Sequence, residues 1–236
     1  GELMLRRASR LLEQASELEQ VADSLARGEE AEVRLAVDEV FPHAFLVAAL
    51  KALSEEFPNT RVQLVETVLS GGPERLVAGD VDLLIAGTVP QGFLGEPLMR
   101  AGFIAVAHPE HPLHRGQQAL TLQDLARHRQ IVIRDSATGT GVDSGWLGAE
   151  QRWTVSHVAT SVEMILSGMG FAWLPASRIK PWLDSGELRE LPLEKGSRRY
   201  TQLYLTYADQ DRAGPATCRL AALLAAESDD YSSIFE

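Results

Sequence analysis

Three histidines, His108, His111 and His114, stand three residues apart in the segment HPEHPLH, a spacing at which one face of a helix could hold a metal ion. Pro109 and Pro112 forbid that helix, because each removes a backbone donor and fixes its own φ, so the segment predicts a turn and no metal site. Thr138 to Gly141 (TGTG) has the composition of a phosphate cradle, yet it lacks the lysine of a P-loop and the spacing of a dinucleotide fingerprint. It reads instead as a loop around a small ligand. Ser, His and Asp are all present, but no GxSxG elbow lifts a nucleophile onto a strand-to-helix turn and no spacing places a base beside one. The expectation is a protein with no catalytic residues and no cofactor, one that leaves its ligand covalently unchanged.

The elements decide where such a ligand is held. After a charged break at Gly28 to Glu32, Val33 to Val37 (VRLAV) is a short apolar strand, followed by Asp38 and Glu39 and a helix from about Pro42 to Phe57, ended by Pro58. Arg61 to Thr67 alternates as a second strand, Pro73 to Ala78 is a short helix stopped by Gly79, and Val81 to Ala86 (VDLLIA), apolar apart from Asp82, is a third strand. Gly102 to Ala107 is a fourth strand, Thr121 to Ala126 a capped short helix, and Ile131 to Arg134 (IVIR) a fifth strand. Beyond the polar loop DSATGTG come a strand at Trp153 to Ser156, a helix at Val158 to Ser167 capped by Gly168, and a strand at Gly170 to Leu174 closed by Pro175. Leu188 to Leu191 and Thr201 to Tyr207 are further strands, and Pro215 to Ala226 is an alanine-rich closing helix. Strands alternating with helices predict a parallel, doubly wound sheet, here with the same unit built twice.

The first 28 residues are of another kind. Met4, Ala8, Leu11, Ala15, Leu18, Ala22 and Leu25 recur at steps of four and three, the a/d seam of a coiled coil, while Arg6, Arg7, Arg10, Glu13, Glu17, Glu19 and Asp23 solvate the rest of the helix. So narrow a seam predicts pairing with another chain. An amphipathic helix packed on its own domain is the alternative.

With 236 residues and 45% hydrophobic content, the chain can bury one or two cores without a disulfide or metal. Its formal charge of −11, from 33 acidic against 22 basic side chains without a basic block, argues against these residues binding nucleic acid by themselves. Cys218, the single cysteine, lies in a run of alanines and leucines and is expected to be a buried small hydrophobe in a reducing compartment. No apolar run approaches the length that spans a bilayer, and the charged N-terminus lacks the apolar stretch of a secretory signal, so the expected location is the cytoplasm. Gly1 in place of a methionine predicts further residues upstream.

GELMLRRASRLLEQ, EVRLAV with a helix ending in EEFP, RVQLVE, LVAGDVDLLIAG, AVAHPEHPL, TLQDLA and SVEMILSGMGFAWLP follow one another in a specific order and spacing. From end to end they resemble a LysR-type transcriptional regulator that lacks its N-terminal winged helix-turn-helix. The resemblance implies an α/β fold of two Rossmann-like lobes joined by two crossover strands, as in periplasmic solute-binding proteins, preceded by a dimerising linker helix. It implies a linker helix at residues 1–30, a first regulatory lobe of 31–107 with 202–236, and a second of 108–201. The implied role is effector binding and oligomerisation in a bacterial regulator, where a small molecule in the inter-lobe cleft alters DNA binding by the upstream domain. Implied partners are that effector, a second copy in a homodimer with a homotetramer as the larger alternative, DNA only through the upstream domain, and RNA polymerase; no membrane is among them. A solute-binding protein of a transport system shares the cleft and is the competing reading.

In open α/β sheets, ligands sit beyond the carboxyl ends of strands, where helix N-termini offer unpaired amides. Those ends place Glu39, Val40 and Phe41 after the first strand, Leu69 and Ser70 after the second, Asp135 and its neighbours after IVIR, and His157 at the next helix start. The expected effector contacts are Val40, Phe41, Leu69, Ser70, Arg134, Ser136, Thr138, His157 and Thr160. Regulators of this family often carry Ser or Thr after the first two strands to hold a carboxylate, but here Val40 and Leu69 stand there. Asp38 and Glu39 also repel an anion unless Arg134 or a helix N-terminus outweighs them, so an apolar, aromatic or amine-bearing effector is as well supported as an acid. The stretch from Gly139 to Trp153 is shorter than the family's loop and helix, which alters the pocket wall. Two side chains stay open: His157 as a titrating contact or a satisfied helix-start residue, and Trp173 as core or pocket.

Overall fold

A computed structural model of the chain describes residues 28–229 apart from 117, 140 and 143, together with Arg7, Leu12 and Ala26. The seam from Met4 to Leu25 lies outside the described residues. The sheet is built outward from β1 (Glu32–Asp38), whose Val33, Leu35 and Val37 enter one core while Ala36 enters another on the opposite face. A strand covered on both sides requires this apolar run. Helix α1 (His43–Glu56) covers the first face with Leu46, Ala49 and Leu53. Beside β1 lies the edge strand β2 (Arg61–Thr67), and α2 (Gly71–Ala78) covers the opposite face through Leu76, which packs with Ala36, Val81 and Leu84. Gly79 ends α2 at φ 75, a left-handed position that suits glycine. Strand β3 (Leu83–Ala86) then pairs on the other side of β1.

The long strand β4 (Gly95–Ala107) leads to a 3-10 turn at Pro112–His114, capped by His111, whose Nδ1 accepts the Leu113 amide at 3.3 Å. There follow α3 (Leu122–Ala126), with a Thr121–Asp124 capping box, β5 (Gln130–Ile133), β6 (Arg152–Val155), α4 (Val158–Leu166) and β7 (Phe171–Pro175). Helix α5 (Ala176–Ser185), the short β8 (Arg189–Glu190), β9 (Arg198–Tyr207) and α6 (Pro215–Asp229) complete the order. The strands run β2-β1-β3-β9-β4-β7-β5-β6, with β8 also on β4.

β1 to β3 are mutually parallel, as are β5 to β7, but β9 is antiparallel to β3 and β4, and β4 is antiparallel to β7. The all-parallel expectation therefore holds only inside each triplet. The β4–β9 pair runs from Gly95 opposite Thr206 to Ile104 opposite Arg198. Its Met99, Ala101, Leu203 and Leu205 enter a core with α1 and α6, whereas Ile104 and Val106 enter a core with α4 and α5. Two strands thus pass from one lobe to the other, giving the two-lobed α/β fold.

Two further expectations are corrected and one unexpected helix is added. β4 begins at Gly95, seven residues before the apolar run, because Pro97 and the charged Glu96 and Arg100 disguise it; its register shifts between Pro97 and Met99, the kind of irregularity that tolerates proline. Helix α5 corresponds to no element expected from the sequence, where Pro175 only closes the preceding strand. Pro175 proves to be its N-cap and Pro181 lies exposed, while Ala176 and Ile179 are buried. Cys218 is exposed, not buried. The buried face of α6 is Thr217, Leu220, Ala221 and Leu224, and Cys218 is turned away from that stripe.

Among the described residues, no helix is long and apolar enough to cross a membrane, and no group of three or more His, Cys, Asp or Glu is placed to hold a metal ion.

Candidate functional site

The loops after β1 and β2 meet the loops after β5 and β6 across the boundary between the lobes. Asp38, at the end of β1, organises the first-lobe rim. It is 6% exposed, and its two oxygens accept the amides of Val40 at 3.1 Å and Leu69 at 3.2 Å, tying the two loops together. Leu69 adopts φ 54, an uncommon conformation for a side chain of its size, and this hydrogen bond anchors it. Burial pushes the Asp38 carboxyl up to about 6; the two amides oppose that rise, and the neighbouring charges of Glu39 and Asp135 reinforce it.

Glu39 reaches the other way. It is 5% exposed; its Oε2 accepts the Val158 amide, the first of α4, at 2.6 Å, and its Oε1 lies 2.8 Å from Nδ1 of His157. Helix N-termini carry unpaired donors and the positive end of the helix dipole, so a carboxylate is favoured there. The N-cap residue of α4, His157, makes no side-chain cap of its own, and the cap comes from the opposite lobe.

The exchange is reciprocal. Asp135, just after β5, accepts the amide of Ser70 at 3.1 Å and also its hydroxyl, at the N-cap of α2, where Ser70 itself makes no side-chain cap. Amides of Ala137 and Val142 complete its shell at 3.0 and 2.9 Å. Burial acts to raise the Asp135 carboxyl, but these hydrogen bonds, led by the Ser70 hydroxyl, together hold it below its ordinary value. Beside it, the Ser136 hydroxyl accepts the Val68 amide at 2.8 Å and donates to the Val68 carbonyl at 3.2 Å. The Thr138 amide donates to Oε2 of Glu74 at 2.7 Å and the Thr138 hydroxyl donates to its Oε1, which lowers the Glu74 carboxyl.

This approach needs a glycine. A Cβ on Gly71 would overlap the Ser136 hydroxyl and lie 2.9 Å from the Ser136 carbonyl carbon.

Of the residues expected from sequence, Ser70, Ser136, Thr138 and His157 come together in these cross-lobe pairs. Leu69 joins the rim through its amide, and Val40 is half-buried against the first-lobe core. Phe41 is 1% exposed inside that core, edge-to-face with Phe45 at 6.4 Å. Arg134 and Thr160 are exposed, and the Arg134 amide donates to the Val155 carbonyl. Trp173 packs with Phe171 and Trp146, each 5.9 Å away; its indole N–H donates to the Gly196 carbonyl at 2.9 Å, and the Arg199 guanidinium lies 4.3 Å over its ring. Sequence reasoning had placed Glu39 and Asp135 at the right strand ends without selecting them, and it missed Glu74 and Gly71. The usable signal was the Gly71–Gly72 pair at the start of a helix, where no turn calls for it. The Ser70 hydroxyl and the His157 ring each meet a carboxylate of the opposite lobe, Asp135 and Glu39 respectively.

The chain matches the family model described as the LysR substrate binding domain over residues 26–229. One relative is the uncharacterized HTH-type transcriptional regulator YeeY of Escherichia coli (strain K12), 30% identical over 202 residues, a match covering 80% of this chain and 63% of that protein. Among solved structures, the regulatory domain of Synechocystis PCC6803 CcmR in complex with 2-PG shares the fold with a TM-score of 0.67 at 18% identity, covering 85% of this chain and 99% of that one. Full-length LysG from Corynebacterium glutamicum with bound effector Arg does so with a TM-score of 0.68 at 16% identity, over 90% of this chain and 73% of that one. The family match spans nearly all of the described residues, and the chain belongs to the LysR family of regulators, whose substrate-binding domain it carries.

Proposed function

We propose that this chain senses a small molecule between its lobes on behalf of a transcription regulator. Ser70, Ser136, Thr138 and His157 are the contacts, with Val40, Leu69, Arg134 and Thr160 around them and Phe41 behind. The observation that carries the reading is the set of polar pairs joining the strand-end loops of the two lobes. A ligand that lodges there changes the balance between open and closed lobes only by its difference in affinity for the two, about 1–3 kcal/mol in coupled systems.

The ligands named for LysG and CcmR support a small-molecule occupant for this fold. The name of YeeY supports a helix-turn-helix in the complete regulator, and DNA contact is assigned to such a domain, since a charge of −11 disfavours phosphate binding by these residues. The N-terminal seam pairs copies into a dimer, with a tetramer as the larger assembly and RNA polymerase as a further partner. Because the target is DNA, the site of action is the cytoplasm. The named relatives are regulators, which favours binding without turnover and disfavours a transport solute-binding protein.

Melting the chain in the presence of amines, amino acids, neutral aromatics and organic acids tests this. One class should raise the melting temperature, by an amount equivalent to about 2.7 kcal/mol at a hundredfold excess over Kd, and be recovered unchanged. Stabilisation by none of them, or consumption of the ligand, contradicts the reading.

A further inference from the structure

Four carboxylates stand where the lobes meet, and each is answered by the protein's own donors. Asp38 holds two first-lobe amides, Glu39 holds the start of α4, Asp135 holds the start of α2, and Glu74 holds Thr138. Three of these cross between the lobes, and two of the three lie at helix starts in opposite directions: first-lobe Glu39 at the start of α4 and second-lobe Asp135 at the start of α2. Neither helix is capped from within its own N-cap residue. Glu39 is the more telling of the two, because burying a carboxylate almost completely costs free energy unless donors and a favourable field receive it.

We propose that the cleft is self-liganded: Glu39 and Asp135 are tethered occupants of the helix N-termini that an acidic effector would take, so the closed cleft refuses anions and selects a neutral or cationic ligand. This rests on the cleft being the effector site. A tethered carboxylate competes at an effective concentration of about millimolar or higher, so a free anion of weak intrinsic affinity is excluded by mass action. An entering anion also faces four acidic side chains. Arg134 is the cation on these loops, and it is exposed. The close approach of Gly71 to Ser136 supports the closed arrangement independently, for it joins the lobes through contacts that no titratable group supplies.

Sulfate serves as the anionic probe, added to the whole chain against sodium chloride at matched ionic strength and followed by the NMR shift of the Val158 amide. Glu39→Ala should give a saturable shift that the unmodified chain lacks. A shift of equal size in both, or none in Glu39→Ala, overturns the proposal. Should Glu39→Ala not fold, Gly71→Ala provides the second reading: Gly71 opens α2 without a left-handed φ, a backbone that alanine accepts, so the first lobe is retained while the added methyl pushes Ser136 away. Without any ligand, the Val158 amide should then exchange at least about tenfold faster, with Leu84 and Leu174 in the lobe cores unchanged. Unaltered Val158 exchange overturns the proposal. An effector panel that stabilises neither protein defeats the sensing role alone, since both readouts above need no effector.

Discussion

The carboxylate of Glu39 and the backbone N–H of Val158, 119 residues apart in sequence, meet at 2.6 Å across the two lobes. That bond joins the first-lobe rim to the start of the second-lobe helix, and the His157 ring beside it adds a second, more exposed contact at 2.8 Å. Asp135 returns the gesture at Ser70, so the closed cleft is fixed from both sides.

The two contacts of Glu39 differ in worth. The His157 side chain is 67% exposed, and His157→Ala should lower stability by about 1 kcal/mol or less. Glu39→Ala leaves the buried Val158 amide without its acceptor and should cost about 1–3 kcal/mol. Urea denaturation of both variants checks the order; equal losses contradict it.

Phe41 was expected to touch the effector, but it stands in the first-lobe core. Phe41→Ala should therefore cost about 3–5 kcal/mol of stability, while Thr160→Ala on the exposed turn of α4 should stay within about 0.5 kcal/mol. Chemical denaturation separates the two. A stable Phe41→Ala with weakened ligand binding contradicts the core assignment.

Stability responds to pH through groups of opposite sign. Asp38, raised from 3.8 to about 6 by burial, binds its proton more tightly when folded, so its contribution is present at low pH and is lost as pH rises through about 6. Glu39 and Asp135, both facing it, reinforce that rise. Asp135 and Glu74 are lowered, so their contributions are present above the ordinary carboxylate values and are lost as pH falls through the folded ones. His111, pushed from 6.5 down to about 4 by burial and by the charges of His128, His114, Arg115 and His108, likewise contributes above its ordinary value and loses that contribution as pH falls toward 4. Asp38→Asn removes only the first effect. Its stability deficit relative to the unmodified chain should be larger near about pH 4 than near about pH 7, by denaturation at each pH; a deficit independent of pH contradicts the shifted carboxyl.

Cys218 lies on the outer side of α6. A thiol reagent should label it in the folded protein without denaturant, with mass spectrometry reading the adduct. Labelling that waits for unfolding contradicts its exposure.

The short apolar strands were legible because VRLAV, VDLLIA and IVIR contain the apolar runs Leu35 to Val37, Leu83 to Ala86 and Ile131 to Ile133 that a strand covered on both faces requires. Their carboxyl ends located the rim, and Ser70, Ser136, Thr138 and His157 followed from position alone. The partners did not follow, since Glu39 finds His157 only after two separate lobes have folded and docked, and no local pattern encodes such a pairing. Helix α5 was hidden by Pro181, whose ring is accommodated on the exposed side while Ile179 is packed, an instance of tertiary burial overriding local propensity. Cys218, by contrast, was readable: counting the helical stripe from Thr217 to Leu224 puts it off the buried face.

The sensing role is tested most directly by amide chemical-shift mapping with the strongest stabiliser from the ligand panel. Saturable shifts should centre on Ser70, Ser136, Thr138 and Val158, with both lobes responding at one apparent affinity. Shifts confined to a distant surface, such as the groove lined by Arg34, Gln63 and Arg75, with the cleft amides unmoved, would contradict it.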